Sequence, residues 1–485
     1  MIASSASTSI PLVPTFPTDY RSIFVFRLPF NGVNMPIEVQ KVGKRQRLSY
    51  MNGLAVELID EAKGVSTWHV YNGTVRTCLQ ERLESSSTEV FPNLTTFHYM
   101  GKEIVNGLEC DCYMKSSERP GEFEYFYYDP RLGSPVRWSM HSRDEIFDSH
   151  MDDYIVDYLF TQPLSDQELW LHSLPESCNH PTDSMHHVSS VSSTWGRHWR
   201  NRHQRRGKIY ATGYIPSPER RHIEIYGDHV SLADLHSSRE SVLPDSFDWR
   251  LNGGVPARVK DQAFCGSCYS FSVIAAIESA YMVSRRNSTS KPLSEQFILD
   301  CGWSSGSMSC SGGNQQQVGP LIMSAYNGVV PFDSEYGQYL STYSYCKNIT
   351  SMQGIAIDGW VNLPSRPSTN LIKKSLVNQG MLSVSINAVD EIVFYTGGIV
   401  STDACGNTRG KDLNHAVNLV GYDIDAVTGT EYWILRNSWS DNWGEKGFFR
   451  VEMGDRDCGI SIDLSYPIIK PSHSVEVRDT STVVA

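Results

Sequence analysis

The chain is most tightly constrained by a short stretch read together with two distant ones. Gln262-Ala-Phe-Cys265-Gly-Ser-Cys268-Tyr-Ser-Phe271 lies far upstream of Leu413-Asn414-His415-Ala416-Val417 and Arg436-Asn437-Ser438-Trp439. Two cysteines three apart suit a redox or zinc pair, but neither chemistry needs a Gln upstream or a His and an Asn far downstream. A cysteine nucleophile needs all three. A thiol attacks as its thiolate, so it needs a base or cation beside it. The base needs a third group to orient it. The developing oxyanion needs a donor, which an amide side chain supplies. Cys268, His415, Asn437 and Gln262 fit those four roles.

Cys265-Gly266-Ser267-Cys268-Tyr269 matches a Cys-Gly-Ser/Ala-Cys-Trp/Tyr signature. On these residues the chain resembles the papain-like cysteine proteases, the cathepsin group, from Leu243 to Pro467. Most members carry Trp where Tyr269 stands. The resemblance implies an α+β fold for this half: a helical lobe holding Cys268, a β-rich lobe holding His415 and Asn437, and a cleft between them. His415 lies 147 residues after Cys268 and Asn437 lies 169 after it. The usual interval is about 130–150, and an insertion over Asp423 to Thr430 accounts for the excess. Cys268 is expected to open a helix, with Phe271, Ile274, Ile277, Glu278 and Tyr281 at spacings of three and four. A helix N-terminus favours thiolate. His415 precedes an apolar run that reads as a strand, and Asn437 follows another, Glu431 to Leu435. Trp439 is expected to cover the His415–Asn437 bond and keep water from it. Ser440 stands where Gly is common in the family and is expected to alter the local turn.

The resemblance carries further. Cys310-Ser-Gly312-Gly313-Asn314 matches the family loop whose glycines let a substrate backbone approach. Asp463 falls at the position lining the base of the pocket for the second residue before the cut, where an acid would pair with Arg or Lys. The implied disulfides are Cys265–Cys310, Cys301–Cys346 and Cys405–Cys458. The implied reaction is peptide-bond hydrolysis by an endopeptidase through an acyl-enzyme, with no metal and no organic cofactor. An inactive binding homologue and an exopeptidase are the alternatives on the same fold.

With 485 residues the chain holds two or three domains. Residues 1–19 are expected to be disordered and 20–178 to form a β-rich antiparallel domain. Short apolar runs alternate there with turn signals: Ser22 to Pro29, Val65 to Leu79, Thr96 to Tyr113 and Glu122 to Tyr128. Phe123 to Met140 has the pattern of a hairpin. Whether the sheet closes or packs as a sandwich is not legible. This half looks like the long N-terminal extension of some invertebrate cathepsin-like proteinases. Residues 179–242 read as a basic linker or propeptide remnant, dense between Arg197 and Arg206. Arg205 to Tyr210 and Pro218 to Arg221 resemble fragments of the helical propeptide that crosses the cleft in related zymogens, but its longer helical pattern is not evident. The protease domain is expected over 243–470 and a flexible tail over 471–485.

Eleven cysteines make an odd number. With Cys268 free and three implied bridges, Cys78, Cys110, Cys112 and Cys178 remain. They are expected to form two more bridges, in any of three pairings. That usage implies an oxidising compartment, lysosomal or extracellular. Sequons at Asn72, Asn93, Asn287 and Asn348 point the same way. Met1 to Tyr20 show no basic n-region and no apolar core, so a leader is expected ahead of the recorded start. No stretch reaches transmembrane length. The net charge of −12 argues against nucleic acid as a partner. Protein or peptide substrates, and the chain's own propeptide or N-terminal domain, are the expected partners.

Overall fold

The computed structural model describes residues 13–29, 32–83, 90–117, 121–143, 151–164, 178, 212–227, 243–263, 265–286 and 289–469. The basic run from Arg197 to Arg206, Asn287, most of the expected disordered N-terminus and the expected C-terminal tail lie outside them.

Eleven strands build one antiparallel sheet. They are β1 (Tyr20–Leu28), β2 (Val33–Val42), β3 (Arg45–Tyr50), β4 (Ala55–Asp60), β5 (Val65–Asn72), β6 (Val75–Arg82), β7 (His98–Val105), β8 (Leu108–Ser116), β9 (Phe123–Asp129), β10 (Ser134–Arg143) and β11 (Met151–Pro163). The order is β6-β5-β4-β3-β2-β1-β11-β10-β9-β8-β7. Two meanders therefore join where β1 pairs β11, and among the described residues the edges β6 and β7 do not meet. Alternation sets the faces: Tyr20, Ser22, Phe24, Phe26 and Leu28 of β1 are buried, with their neighbours more exposed. Hairpin chemistry sets the register. Asn106 and Gly107 between β7 and β8 both have positive φ, at 52° and 80°, as a tight two-residue turn requires.

Phe16 and Asp19 fall in the stretch expected to be disordered, yet both are placed. The Phe16 ring stacks on Phe91 at 4.4 Å, and Asp19 accepts a hydrogen bond from the Gly43 N–H. Burial of an aromatic ring outweighs the polar composition around it. The expected pair of extra bridges is also corrected. Cys78 joins Cys178, while Cys110 and Cys112 are buried free thiols. The two lie two apart on β8 and share one face of the strand.

The second half has two lobes. Helices α1 (Cys268–Arg285), α2 (Glu295–Cys301) and α3 (Gln315–Ala325) carry one. Fourteen of the eighteen α1 residues are buried, so this helix runs between the lobes rather than along a surface. The other lobe is a sheet. Its strands are β12 (Glu224–Tyr226), β13 (Phe247–Asp248), β16 (Gly359–Asn362), β17 (Leu382–Ile386), β18 (Ile399–Val400), β19 (His415–Ile424), β20 (Glu431–Arg436), β21 (Phe448–Glu452) and β22 (Leu464–Ile468). The small pair β14 (Val329–Pro331) and β15 (Gly354–Ala356) stands apart. The Ser272 hydroxyl on α1 donates to the Val417 carbonyl of β19 at 2.7 Å, stitching helix to sheet. Bridges join Cys265 to Cys310, Cys301 to Cys346 and Cys405 to Cys458. The helical lobe also packs on the N-terminal sheet. Trp68 meets Tyr343 at 6.0 Å, and the Cys346 N–H donates to the Gly73 carbonyl at 3.0 Å.

Candidate active site

Cys268 is the first residue of α1 and is fully buried. The Cys265–Cys310 bridge pins the loop ahead of it. Gln262 sits in that loop, also fully buried. Its Nε2 donates to the Cys265 carbonyl at 3.0 Å and its Oε1 accepts from the Ser438 hydroxyl at 2.7 Å. Those two bonds fix the amide at the mouth of α1, tied to both lobes. Tyr269, in place of the commoner Trp, donates its hydroxyl to the Ser309 carbonyl at 3.1 Å. Its ring lies where a Cβ on Gly313 would be, so the pair needs glycine there.

His415 opens β19 and Asn437 follows β20. Neighbouring strands bring them together: the His415 Nε2 lies 2.8 Å from the Asn437 Oδ1. That oxygen also accepts from the Ser438 N–H at 2.8 Å, so the amide cannot turn over without losing both bonds. The acceptor fixes the proton on Nε2 and leaves the lone pair on Nδ1. Nδ1 is buried with no hydrogen-bond partner. Trp439 stacks on the imidazole, centroids 4.5 Å apart and planes 20° apart, and is itself buried. Ser440 has φ +63°, a left-handed conformation. The turn is therefore the one a glycine adopts freely, kept here by a serine whose N–H donates to the Lys260 carbonyl.

The chain covers this site with its own residues 212–216. Tyr214 bridges Gly313 in parallel register. The Gly213 and Tyr214 N–H groups donate to the Asn414 carbonyl, Ile215 N–H to the Gly313 carbonyl, and Gly313 N–H to the Gly213 carbonyl, at 2.7–3.2 Å. Asn314 donates from Nδ2 to the Tyr214 hydroxyl and the Ile215 carbonyl. Gly213 and Gly266 are in backbone contact, and Gly312 (φ +113°) faces the Gly213 carbonyl. Bare backbone on both sides is what lets the strand lie directly over Cys268. Beyond it, β12 pairs with β16. The motifs at 205–210 and 218–221 flanked this segment without revealing it. Its hold is through backbone groups, which leave no side-chain period to read.

Burial sets the protonation states. It pushes the Cys268 thiol up to about 12, against the opposing pull of the Ala416, Tyr269 and Gly213 backbone N–H groups. It pushes His415 down to about 4, against the Asn437 hydrogen bond. At neutral pH the covered site thus holds a thiol and a neutral imidazole.

Asp463 is buried at the start of β22's approach, 4% exposed, rather than facing solvent. Burial raises its carboxyl well above the carboxylate range. The Nη1 of Arg220, just beyond the covering segment, lies 3.8 Å from its Oδ1, while the Arg220 Nε pairs more closely with Glu224 at 2.7 Å.

Comparison with known proteins places this geometry. The family described as papain family cysteine protease matches residues 243–468. A pro-cathepsin H of Medicago truncatula is 36% identical over 240 residues, 50% of this chain and 66% of that protein. Cysteine proteinase 2 of Zea mays is 35% identical over 244 residues, 50% of this chain and 64% of that protein. The match thus spans slightly less than two thirds of these relatives' length. Digestive procathepsin L 3 of the Tenebrio molitor larval midgut has a solved structure. It is 33% identical and superposes with a TM-score of 0.44 over 54% of this chain and 77% of that one. With its helical and β-rich lobes, and with Cys268, His415 and Asn437 carried on them, the segment 243–468 of this chain matches the papain family of cysteine proteases.

Proposed function

We propose that the chain is the precursor of a cysteine endopeptidase with Cys268 as nucleophile, His415 as base, Asn437 as orienter and Gln262 as oxyanion donor. The observation that carries this is the His415–Asn437 bond of 2.8 Å beneath Trp439, which leaves Nδ1 as the proton acceptor. In the proposed reaction the Cys268 sulfur attacks the peptide carbonyl, and its proton passes to Nδ1. The oxyanion is held by the Cys268 backbone N–H and the Gln262 amide. His415 returns the proton to the leaving amine, and water, activated by His415, frees the acid product. These steps use protein groups and water alone. Gly312, Gly313 and Asn314 would line the substrate's path, as they already line that of residues 212–216, and Trp439 would cover the His415–Asn437 bond beside it. The covering segment supports a latent form. Asp463 would accept a basic side chain, a reading supported by Arg220 beside it. The four disulfides favour a lysosomal or extracellular setting.

The test is labelling with an epoxide electrophile after the segment is released at acid pH, wild type against Cys268→Ala. Labelling and peptide hydrolysis by the wild type alone are expected. Failure of the wild type to label would point to a binding homologue, and hydrolysis confined to chain termini would point to an exopeptidase.

A further inference from the structure

A second polar cluster lies behind the site, where the lobes meet. Lys260 Nζ donates to the carboxylates of Glu295 at 2.6 Å and Glu278 at 3.4 Å, and to the Leu293 carbonyl at 3.2 Å. Glu278 is ten residues along α1 from Cys268 and also accepts from the Leu293 N–H. The fourth charge is Arg436, the last residue of β20, immediately before Asn437. All but Lys260 are at least 95% buried. Burial alone would lower the Lys260 ammonium, but Glu278 and Glu295 outweigh it and hold it above its ordinary value. Burial also lowers the Arg436 guanidinium, against the pull of the same two carboxylates. Two cations face two anions, so the cluster balances in charge, as a buried set must.

Its hydrogen bonds do not balance. The Arg436 Nη2 donates to the Arg258 carbonyl, but its Nε is buried without a partner. The Asn437 Nδ2, whose amide holds His415, is likewise buried without one. Both residues line one small cavity, together with Lys260, Glu278 and Glu295. A buried N–H left unpaired costs about 1–3 kcal/mol, and here two such donors belong to residues that line a cavity also bordered by Glu278 and Glu295. A water molecule is the complement of that arrangement. Its two lone pairs accept the two N–H groups and its protons donate to the carboxylates.

We propose that this cavity binds an ordered water joining Arg436 Nε and Asn437 Nδ2 to the Glu278 and Glu295 carboxylates, and that Arg436 is thereby a positioning residue for Asn437. The helix that carries Cys268 and the strand end that carries Asn437 are tied through it. Asn437 is then fixed from both ends of its amide, by His415 and Ser438 at the oxygen and by the water at the nitrogen.

The proposal rests on the reading of Asn437 as orienter only for its kinetic consequence. The water itself is tested without activity, by a crystal structure of the full chain at about 1.5 Å or better. A water peak within hydrogen-bond distance of both nitrogens is expected. A dry cavity, or a water touching neither, overturns the proposal whatever the chain catalyses. For the positioning role, Arg436→Met is expected to lower kcat about tenfold with KM changed less than twofold, and Arg436→Lys, which keeps a donor and the charge, to restore most of it. Equal loss in Arg436→Met and Arg436→Lys, or a loss confined to KM, refutes the positioning role. If the wild type hydrolyses no peptide, the proposed activity fails and the crystallographic arm still decides the water.

Discussion

Gly213 is the position at which the covering segment is most exposed to a single change. A Cβ there would overlap the backbone carbonyl of Gly266, which no side-chain rotation relieves. Gly213→Ala should therefore lift residues 212–216 off the cleft. Four backbone hydrogen bonds are at stake, the two to Asn414 and the two with Gly313. Each is worth about 1 kcal/mol net. The Tyr214 side chain, 6% exposed, adds about 2 kcal/mol of apolar burial. The segment is thus held by about 6 kcal/mol. Losing half of that raises the uncovered fraction more than about 100-fold. Uncovering also returns water to Cys268. A thiol pushed up to about 12 that relaxes toward its ordinary value near 9 gains about a thousandfold in thiolate at pH 7. The assay is the second-order rate of thiol alkylation at pH 7 in the full chain, with Cys268→Ala in the same background to assign the label. The Gly213→Ala chain should react at least about 100-fold faster than wild type. An unchanged rate, with the thermal midpoint also unchanged, would refute the claim that this backbone contact keeps Cys268 covered.

Two further outcomes follow from the charges around the cleft. His415 titrates at about 4 when covered and near 6.5 when solvated, so the uncovered form binds more protons between those values. The His415 contribution to stability of the covered form is full above pH 6.5 and falls as pH drops toward 4, by at most about 3 kcal/mol. Hydrogen-exchange protection of residues 212–227 should decline over that window, and His415→Ala should flatten the decline. Asp463→Ala should cut kcat/KM at least about tenfold for peptides with Arg at the second residue before the cut, and leave those with Phe there within about twofold. Equal losses for both would remove Asp463 from substrate selection.

The residues proposed to do the chemistry were legible because their proposed roles demand particular side chains. A thiol, an imidazole and a primary amide suit those roles, and among eleven cysteines and fifteen histidines it is the flanking residues and their order that mark Cys268, His415 and Asn437. The strands were legible where one face is buried, as over Tyr20 to Leu28 and Phe123 to Asp129, because alternation is a physical necessity there. The covering segment was not legible. Gly213, Tyr214 and Ile215 are held mainly through backbone groups, which any sequence without a clash could offer, and the one buried side chain, Tyr214, makes no period. The fate of Cys110 and Cys112 was hidden for a related reason. Cysteine counting assumes every spare thiol finds a partner, but neighbours on one strand face are held apart by the strand itself. The grouping of Lys260, Glu278, Glu295 and Arg436 gave no signal either, because they are scattered over four segments and meet only where the lobes meet.

Placement and charge act against each other at Cys268. Its position at the start of α1 favours thiolate by about 0.3–1 kcal/mol, up to about 2 in partly buried settings, and three neighbouring backbone N–H groups push the same way. Burial acts oppositely and wins, since the thiol still ends near 12. The bond that orients His415 meets the same fate, because an imidazole desolvated beneath Trp439 and the covering segment falls to about 4 despite Asn437. The covered site is therefore arranged but uncharged. Asn437, Trp439 and Gln262 already hold their contacts in the covered form, and bulk water is the component the segment withholds. On this account activation needs no rearrangement of Gln262, Asn437 or Trp439, each held by contacts to its own lobe or across the lobes. It needs only the removal of a backbone strand, after which the helix terminus and the Asn437 amide can act on groups free to ionise.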